Sequence, residues 1–286
     1  MIEYSQEDVG NMMLLEHVNV QVPEQLLATL FYVVGLGFTR DPYLNTGLNN
    51  MWINVGEQQF HLPTRQAQVI NGHIGLVVPD MDALQNRLVS VEEGLRGTRF
   101  RWSKSGDDIL VSCPWGNQFC CYQAGSRFGD MALGIPYVEF LVGPNAAEPI
   151  AGFYDKIFSA PTSIESQQNG KVVRVKIGRN QSLIFRETQA PLSLYDGHHI
   201  AVYVANFSRG YGFLKEHGLV TEDVRNHQFR FKDIVDLDNG KPVFFLEHEV
   251  RSLHHPMFQR FFVNREPGQS QRGYKRGRDA LIPFAG

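Results

Sequence analysis

Three of the ten histidines stand at matching places in this chain. His17, His73 and His199 each open a short apolar run, and a fourth run of the same kind carries Tyr137 at that place. Neutral imidazole is a ligand for Zn, Fe, Ni and Cu, and such an ion needs side chains converging from separate strands. Other chemistry has weaker footing. Cys113, Cys120 and Cys121 lack the spaced pairs of a zinc ribbon. Their odd number and the adjacency of two of them imply no disulfide framework, which fits a reducing cytoplasm. His254-His255-Pro256 reads as a loop pair, solvated or capping. Trp52, Trp102 and Trp115 could line an aromatic-binding cavity, and core packing explains them as well. The sequence has no P-loop, no Gly-x-Gly-x-x-Gly and no Gly-x-Ser-x-Gly elbow, which leaves nucleotide transfer and serine hydrolysis without a basis.

The four runs are strands that open a repeated unit. They are 16–22, 72–78, 136–142 and 198–204, and their second residues lie 56, 64 and 62 residues apart (His17 to His73, then to Tyr137, then to His199). A period of this size marks repeated supersecondary units. Each strand is rich in β-branched residues. A helical stripe follows each: Leu26, Leu27, Leu30, Phe31 and Val34 in the first unit, with Pro23 in its first turn and Gly35-Leu36-Gly37-Phe38 as its stop. Leu84, Leu88 and Val91 form the second stripe. Ile150, Phe153, Tyr154, Ile157 and Phe158 form the third, which Pro161 ends. The fourth, near 208–217, is interrupted by Gly210 and Gly212. Strand-like segments then lead to a last long strand, at 58–62, 118–122, 181–186 and 243–249, each after a glycine turn at Gly56, Gly116, Gly178 and Gly240.

Each unit therefore reads βαβββ. One unit cannot bury both faces of its sheet, but two side by side make a curved eight-stranded sheet with an open concave face. The expected fold is α+β: four βαβββ modules paired into two open, cup-shaped mixed sheets with helices outside. Neighbouring modules are expected to pair, giving a first domain over 1–130 and a second over 131–286, joined by a linker at 124–134 containing Gly125, Gly129 and Gly134.

Composition narrows the partners. The chain has 286 residues, 43% hydrophobic and 20% charged, with a formal net charge of −3. Nothing in that balance calls for nucleic acid or a membrane surface. No apolar run approaches the roughly 20 residues that span a bilayer. Residues 1–11 have neither signal-peptide nor transit-peptide character, so the expected location is cytoplasmic. Arg272, Lys275, Arg276 and Arg278 lie in a Gly-rich tail, expected from about Pro267 onward to stand outside the module core.

The module order, the Gly-Leu-Gly-Phe stop and the turn Cys113-Pro114-Trp115-Gly116-Asn117 resemble the vicinal-oxygen-chelate superfamily of glyoxalases, extradiol dioxygenases and fosfomycin- or bleomycin-resistance proteins. The turn is similar to that family's Asp-Pro-x-Gly-Asn signature, with cysteine at the aspartate place. Four modules in one chain resemble its two-domain members, over residues 13 to 250. The resemblance implies one divalent ion per active cup, Fe, Zn, Ni or Mn, held by residues of the first and last strands of paired modules. For the first cup it marks His17, His61, His73 and Cys120. Ten histidines in 286 residues put one at roughly one place in 29, so three at four marked places exceed chance. Cys120 departs from the family's carboxylate or amide, and a lone cysteine is as readily a small buried hydrophobe.

For the second cup the resemblance marks Tyr137, Ile184 or Phe185, His199, and Phe244 or, with a shifted register, Glu247. Glu139 lies two residues beyond Tyr137 on the same strand face. Tyr137, Glu139, His199 and Glu247 are the catalytic candidates, with Tyr137 equally readable as a packing aromatic whose hydroxyl is tied to Glu139 or Glu247. Two functions stay open: a metal-dependent dioxygenase, lyase or isomerase on a small oxygen-bearing substrate, and a metal-free protein that binds or sequesters a small molecule. No organic cofactor is implied, and a homodimer is compatible with either.

Overall fold

The computed structural model describes residues 8–42 and 49–260. The basic C-terminal tail from Pro267 onward lies outside the described residues. Four βαβββ modules follow one another. Module one comprises β1 (Met12–Asn19), α1 (Gln25–Ala28, continued as a π-helical segment Thr29–Gly35), β2 (Thr39–Arg40), β3 (Asn50–Val55) and β4 (Gln58–Pro63). Module two comprises β5 (Gly72–Val78), α2 (Met81–Val91), β6 (Arg101–Ser105), β7 (Asp108–Ser112) and β8 (Gln118–Gln123). Module three comprises β9 (Tyr137–Val142), α3 (Ala147–Phe158), β10 (Thr162–Gln167), β11 (Gly170–Gly178) and β12 (Gln181–Glu187). Module four comprises β13 (His199–Val204), α4 (Phe207–Glu216), β14 (Val220–Arg225), β15 (Gln228–Val235) and β16 (Pro242–Ser252).

The modules form two open eight-stranded mixed sheets, and only one of the two joins neighbours in the chain. One sheet runs β14-β15-β16-β13-β1-β4-β3-β2 and the other β10-β11-β12-β9-β5-β8-β7-β6. Module one thus pairs with module four, and module two with module three. The expected pairing of one with two and three with four is corrected here: each sheet draws on both halves of the chain. The seams are antiparallel, β1 with β13 and β5 with β9. The free edge of an opening strand can pair with any other opening strand, so hydrophobic pattern alone does not choose the partner. The connector 64–71, at about 3.3 Å per extended residue, is long enough to carry the chain from one sheet to the other. Modules one and two, and modules three and four, meet instead through their helices, α2 against the π-helical segment of module one and α3 against α4.

Strand periodicity separates core from cup. Val18, Ile74, Val138 and Ile200, with Leu76, Phe140 and Val202 two residues on, belong to one continuous buried core shared by both sheets and the helices. Side chains alternate along a strand. The neighbours His17, His73, Tyr137 and His199 therefore face the opposite, concave side. In the fourth helix Gly210 allows close approach to the Phe158 ring, where an added Cβ would meet Cε1 at 3.0 Å. The outer strands β10 and β14 are exposed and carry Glu165, Glu222, Asp223 and Arg225, charges that discourage edge-to-edge pairing.

Candidate metal centre

The register between opening and closing strands repeats in all four modules. Asn19 lies opposite His61, Gly75 opposite Cys120, Glu139 opposite Ile184 and Ala201 opposite Glu249. The closing-strand residue two positions beyond the mate of His17, His73, Tyr137 or His199 is thus the one that shares its place in the cup. In the first sheet, built from modules one and four, this set is His17, His61, His199 and Glu249. In the second sheet, from modules two and three, it is His73, Cys120, Tyr137 and Ile184.

The first set is a converging one. His17, His61 and His199 each offer a ligand atom, and these atoms lie within 4.8 Å of one another. The ring centroids of His61 and His199 stand 5.8 and 5.6 Å from that of His17. The Nε2 atoms of all three are buried and have no hydrogen-bond partner. His17 Nδ1 is engaged by Glu16, which fixes the tautomer that leaves Nε2 bare. His61 stacks on Trp52 at 4.0 Å between ring centroids, and the same indole meets His17 edge-on at 4.9 Å. Burial, followed by the two neighbouring imidazoles, holds His61 well below the usual imidazole range. Burial followed by His17 does the same for His199. Both rings are therefore neutral at physiological pH, the state in which imidazole binds a metal.

Glu249 completes the arrangement. Its Oε2 lies 3.9 Å from His199 Nε2. Arg251, only 2% exposed, donates through Nε to Glu249 Oε1 at 2.6 Å and through Nη1 to Glu16 Oε2 at 2.8 Å. Arg230 joins Glu249 to Glu247 through its two terminal nitrogens. Burial raises the Glu249 carboxyl, but Arg251, His17, Arg230 and His199 together outweigh it and hold the group ionised. Glu16 behaves alike: Arg251 and His17 overcome burial and bring it down to about 2. Three bare imidazole nitrogens beside an ionised carboxylate suit a divalent first-row metal ion.

Of the residues singled out in the sequence, His17 and His61 lie together with His199, while His73 lies in the other sheet. Glu247 lies beside the centre, its Oε1 3.6 Å from His199 Nδ1, while Phe244 packs against Phe140 and Phe185 in the core. The residue missed is Glu249. Repetition held the signal for it: β16 carries two acidic residues on its cup face, and the offset from Asn19 to His61 in module one selects the second. Of the histidine pair near the C-terminus, His255 is buried and its Nδ1 accepts from the Met257 amide at 3.2 Å.

His73, Cys120, Tyr137 and Glu139 belong to the second sheet, where no imidazole nitrogen is left bare among them. His73 Nε2 hydrogen-bonds the Tyr137 hydroxyl at 2.9 Å, and that hydroxyl bonds Tyr122 at 2.5 Å. Tyr137 is therefore tied to His73 and Tyr122, not to Glu139 or Glu247. The Tyr137 ring lies over Gly75, where an added Cβ would fall 2.5 Å from Cε1. Ile184, at the fourth place, offers no ligand atom.

Comparison with known proteins supports the architecture. No family model matches the chain, and no curated protein matches it in sequence. Among solved structures, a "putative dioxygenase" from Bacillus subtilis aligns with a TM-score of 0.57 at 15% identity, over 92% of this chain and 90% of its own. Glyoxalase I from Zea mays aligns with a TM-score of 0.57 at 13% identity, over 88% and 95%. A glyoxalase I mutant from the same plant gives 0.58 at 12%, over 88% and 97%. The chain shares its fold with these glyoxalase and dioxygenase structures.

Proposed function

We propose that this chain is a metal-dependent enzyme acting on a small oxygen-bearing substrate in the first sheet's cup, with His17, His61, His199 and Glu249 holding the ion. The observation that carries this reading is the convergence of three buried Nε2 atoms that have no hydrogen-bond partner. A buried polar atom left unpaired costs about 1–3 kcal/mol. A metal-free binding protein leaves three such costs in one place without a return, whereas a bound ion removes all three.

The ion, when bound, would act as a Lewis acid on a carbonyl or hydroxyl oxygen of the substrate. The chain's own residues do the rest. Glu16 and Arg251 fix His17 and Glu249 in orientation and charge. Trp52 covers His17 and His61 and excludes water from them. Glu247, partly exposed, beside His199 and with Oε1 held by Arg230, is the carboxylate placed to take and return a proton. A third histidine beside the carboxylate favours proton transfer, as in an isomerase or lyase, over dioxygenation, which uses two histidines and one carboxylate around open positions.

Element-resolved metal analysis of full-length protein, purified without a His tag or chelator, tests the reading. One equivalent of a divalent first-row ion per chain is expected. A chain that stays metal-free after incubation with Zn, Ni, Mn and Fe(II) would be a binding protein instead.

A further inference from the structure

Among the described residues the second sheet's cup gathers no three-ligand cluster, yet it is open and built. It holds a cavity of about 560 Å³, within the range of about 300–1,000 Å³ usual for small-molecule sites. Tyr122, Tyr137, Val172 and Ile184 form a buried apolar floor, with Cys120 and Phe128 against it. Across that floor runs a fixed polar chain, Tyr122 to Tyr137 to His73, with the carboxylate of Glu139 3.5 Å from His73 Nδ1. Arg127, Arg174 and Arg186 line the same cavity.

The charges do not cancel. Among the described residues Glu139 is the one carboxylate in the lining, and Arg186 already satisfies it with two bonds, 2.9 Å from Nε and 2.8 Å from Nη2. Burial, partly offset by Glu139, keeps His73 below its ordinary range, so it adds no positive charge at neutral pH. Arg127 lies over the Tyr122 ring, 4.2 Å from its centroid, with Asp108 at 3.4 Å. Arg174 pairs with no carboxylate among the described residues. A guanidinium facing a cavity presents a planar fork of donors that matches a carboxylate or phosphate. An apolar, aromatic floor below it accepts a hydrophobic body.

We propose that this cup is a metal-free binding site for a small organic anion, in which Arg174 and Arg127 take a carboxylate or phosphate group and Tyr137, Tyr122, Phe128 and Ile184 hold an apolar or aromatic body. The site is separate from the three-histidine cluster, since it is built from modules two and three and the segment that joins them. The closed Tyr122–Tyr137–His73 chain supplies a rigid floor and fills the place that an ion would take in the other cup.

Calorimetric titration of the full chain with benzoate, phenyl phosphate and neutral benzamide tests this. At least one anion is expected to bind at least about tenfold more tightly than benzamide, and the stronger of the two identifies the preferred group. Arg174→Ala should weaken that anion at least about tenfold, with Arg174→Lys in between. Ile184→Trp, which fills the floor, should abolish binding. Chelator-treated protein should bind the anion unchanged, which separates this site from the metal centre whatever the fate of the metal assignment. Millimolar or absent binding of both anions, equal affinity for benzamide, indifference to Arg174→Ala, or loss of binding on chelation would each overturn the proposal.

Discussion

His61 and Glu249 occupy the same place in two paired modules: His61 lies opposite Asn19, and Glu249 opposite Ala201, each two residues beyond an opening histidine. The pseudo-twofold relation between modules one and four therefore exchanges a neutral imidazole for an anionic carboxylate. The first sheet's cup has three imidazoles and one carboxylate, and Arg251 and Arg230 hold that carboxylate's charge in place.

Arg251 is a structural cation that two buried carboxylates need. It is almost fully buried and bonds both Glu16 and Glu249. Arg251→Met leaves Glu249 with Arg230 and Glu16 with His17 as their remaining partners. Removing one partner of a buried ion pair costs about 3–5 kcal/mol, and a loss of that size in urea unfolding of metal-free protein is the expected outcome. A loss below about 1 kcal/mol would mean that the carboxylates are solvated or neutral.

Acid should weaken the fold in two stages. His248, buried and stacked on Phe231, donates from Nδ1 to the Leu246 carbonyl, and its Nε2 meets the Tyr154 hydroxyl. Burial brings it from 6.5 down to about 3. Burial followed by Arg251 does the same to His255. The unfolded chain takes up these protons below pH 6.5 while the folded one does not. Their contribution is thus full above 6.5 and is lost as pH falls from 6.5 towards 3. Glu16, lowered from 4.5 to about 2, adds a second loss below 4.5. For metal-free protein the urea midpoint should be level above pH 7 and decline from about pH 6.5. A midpoint unchanged down to pH 4.5 would contradict the buried neutral histidines.

Gly75 is the position where the second cup depends on a missing side chain. Gly75→Ala puts a methyl carbon into the Tyr137 ring, and the ring can yield only by leaving His73 and Tyr122. Overpacking of this kind costs about 1–3 kcal/mol. The variant should lose that much stability by urea titration while keeping its metal, because the ring belongs to the other sheet. A loss of metal would show that the two cups are coupled.

Legibility in the sequence followed locality. The modules, their helices and their closing strands could be read because strand alternation and helical stripes are written into consecutive residues, as at 198–204 and at Ile150 to Phe158. His17 and His61 could be paired because they share a module. The pairing of module one with four could not be read, since Val18, Ile74, Val138 and Ile200 bury equally well whichever opening strand lies alongside. His73 was therefore grouped with His17, and His199 apart from it. Glu249 was passed over for Glu247 because both lie on one face of β16, and only the register with Ala201 separates them.

The module pairing makes a sharp prediction about which histidines hold the ion. His17, His61 and His199 present bare Nε2 atoms to one point, whereas His73 spends its Nε2 on Tyr137. Single changes to alanine at His17, His61 or His199 remove a ligand each and should lower metal affinity by at least about a hundredfold. Glu249→Gln keeps the shape but removes the charge, and it should weaken binding less than losing a histidine. His73→Ala removes a histidine of the same opening-strand place and should leave metal affinity within about twofold of the parent chain. Competition titration against a chromogenic chelator measures all five proteins on one scale, with circular dichroism to confirm folding. Metal loss in His73→Ala, with retention in His199→Ala, would restore the pairing of module one with module two and remove the centre described here.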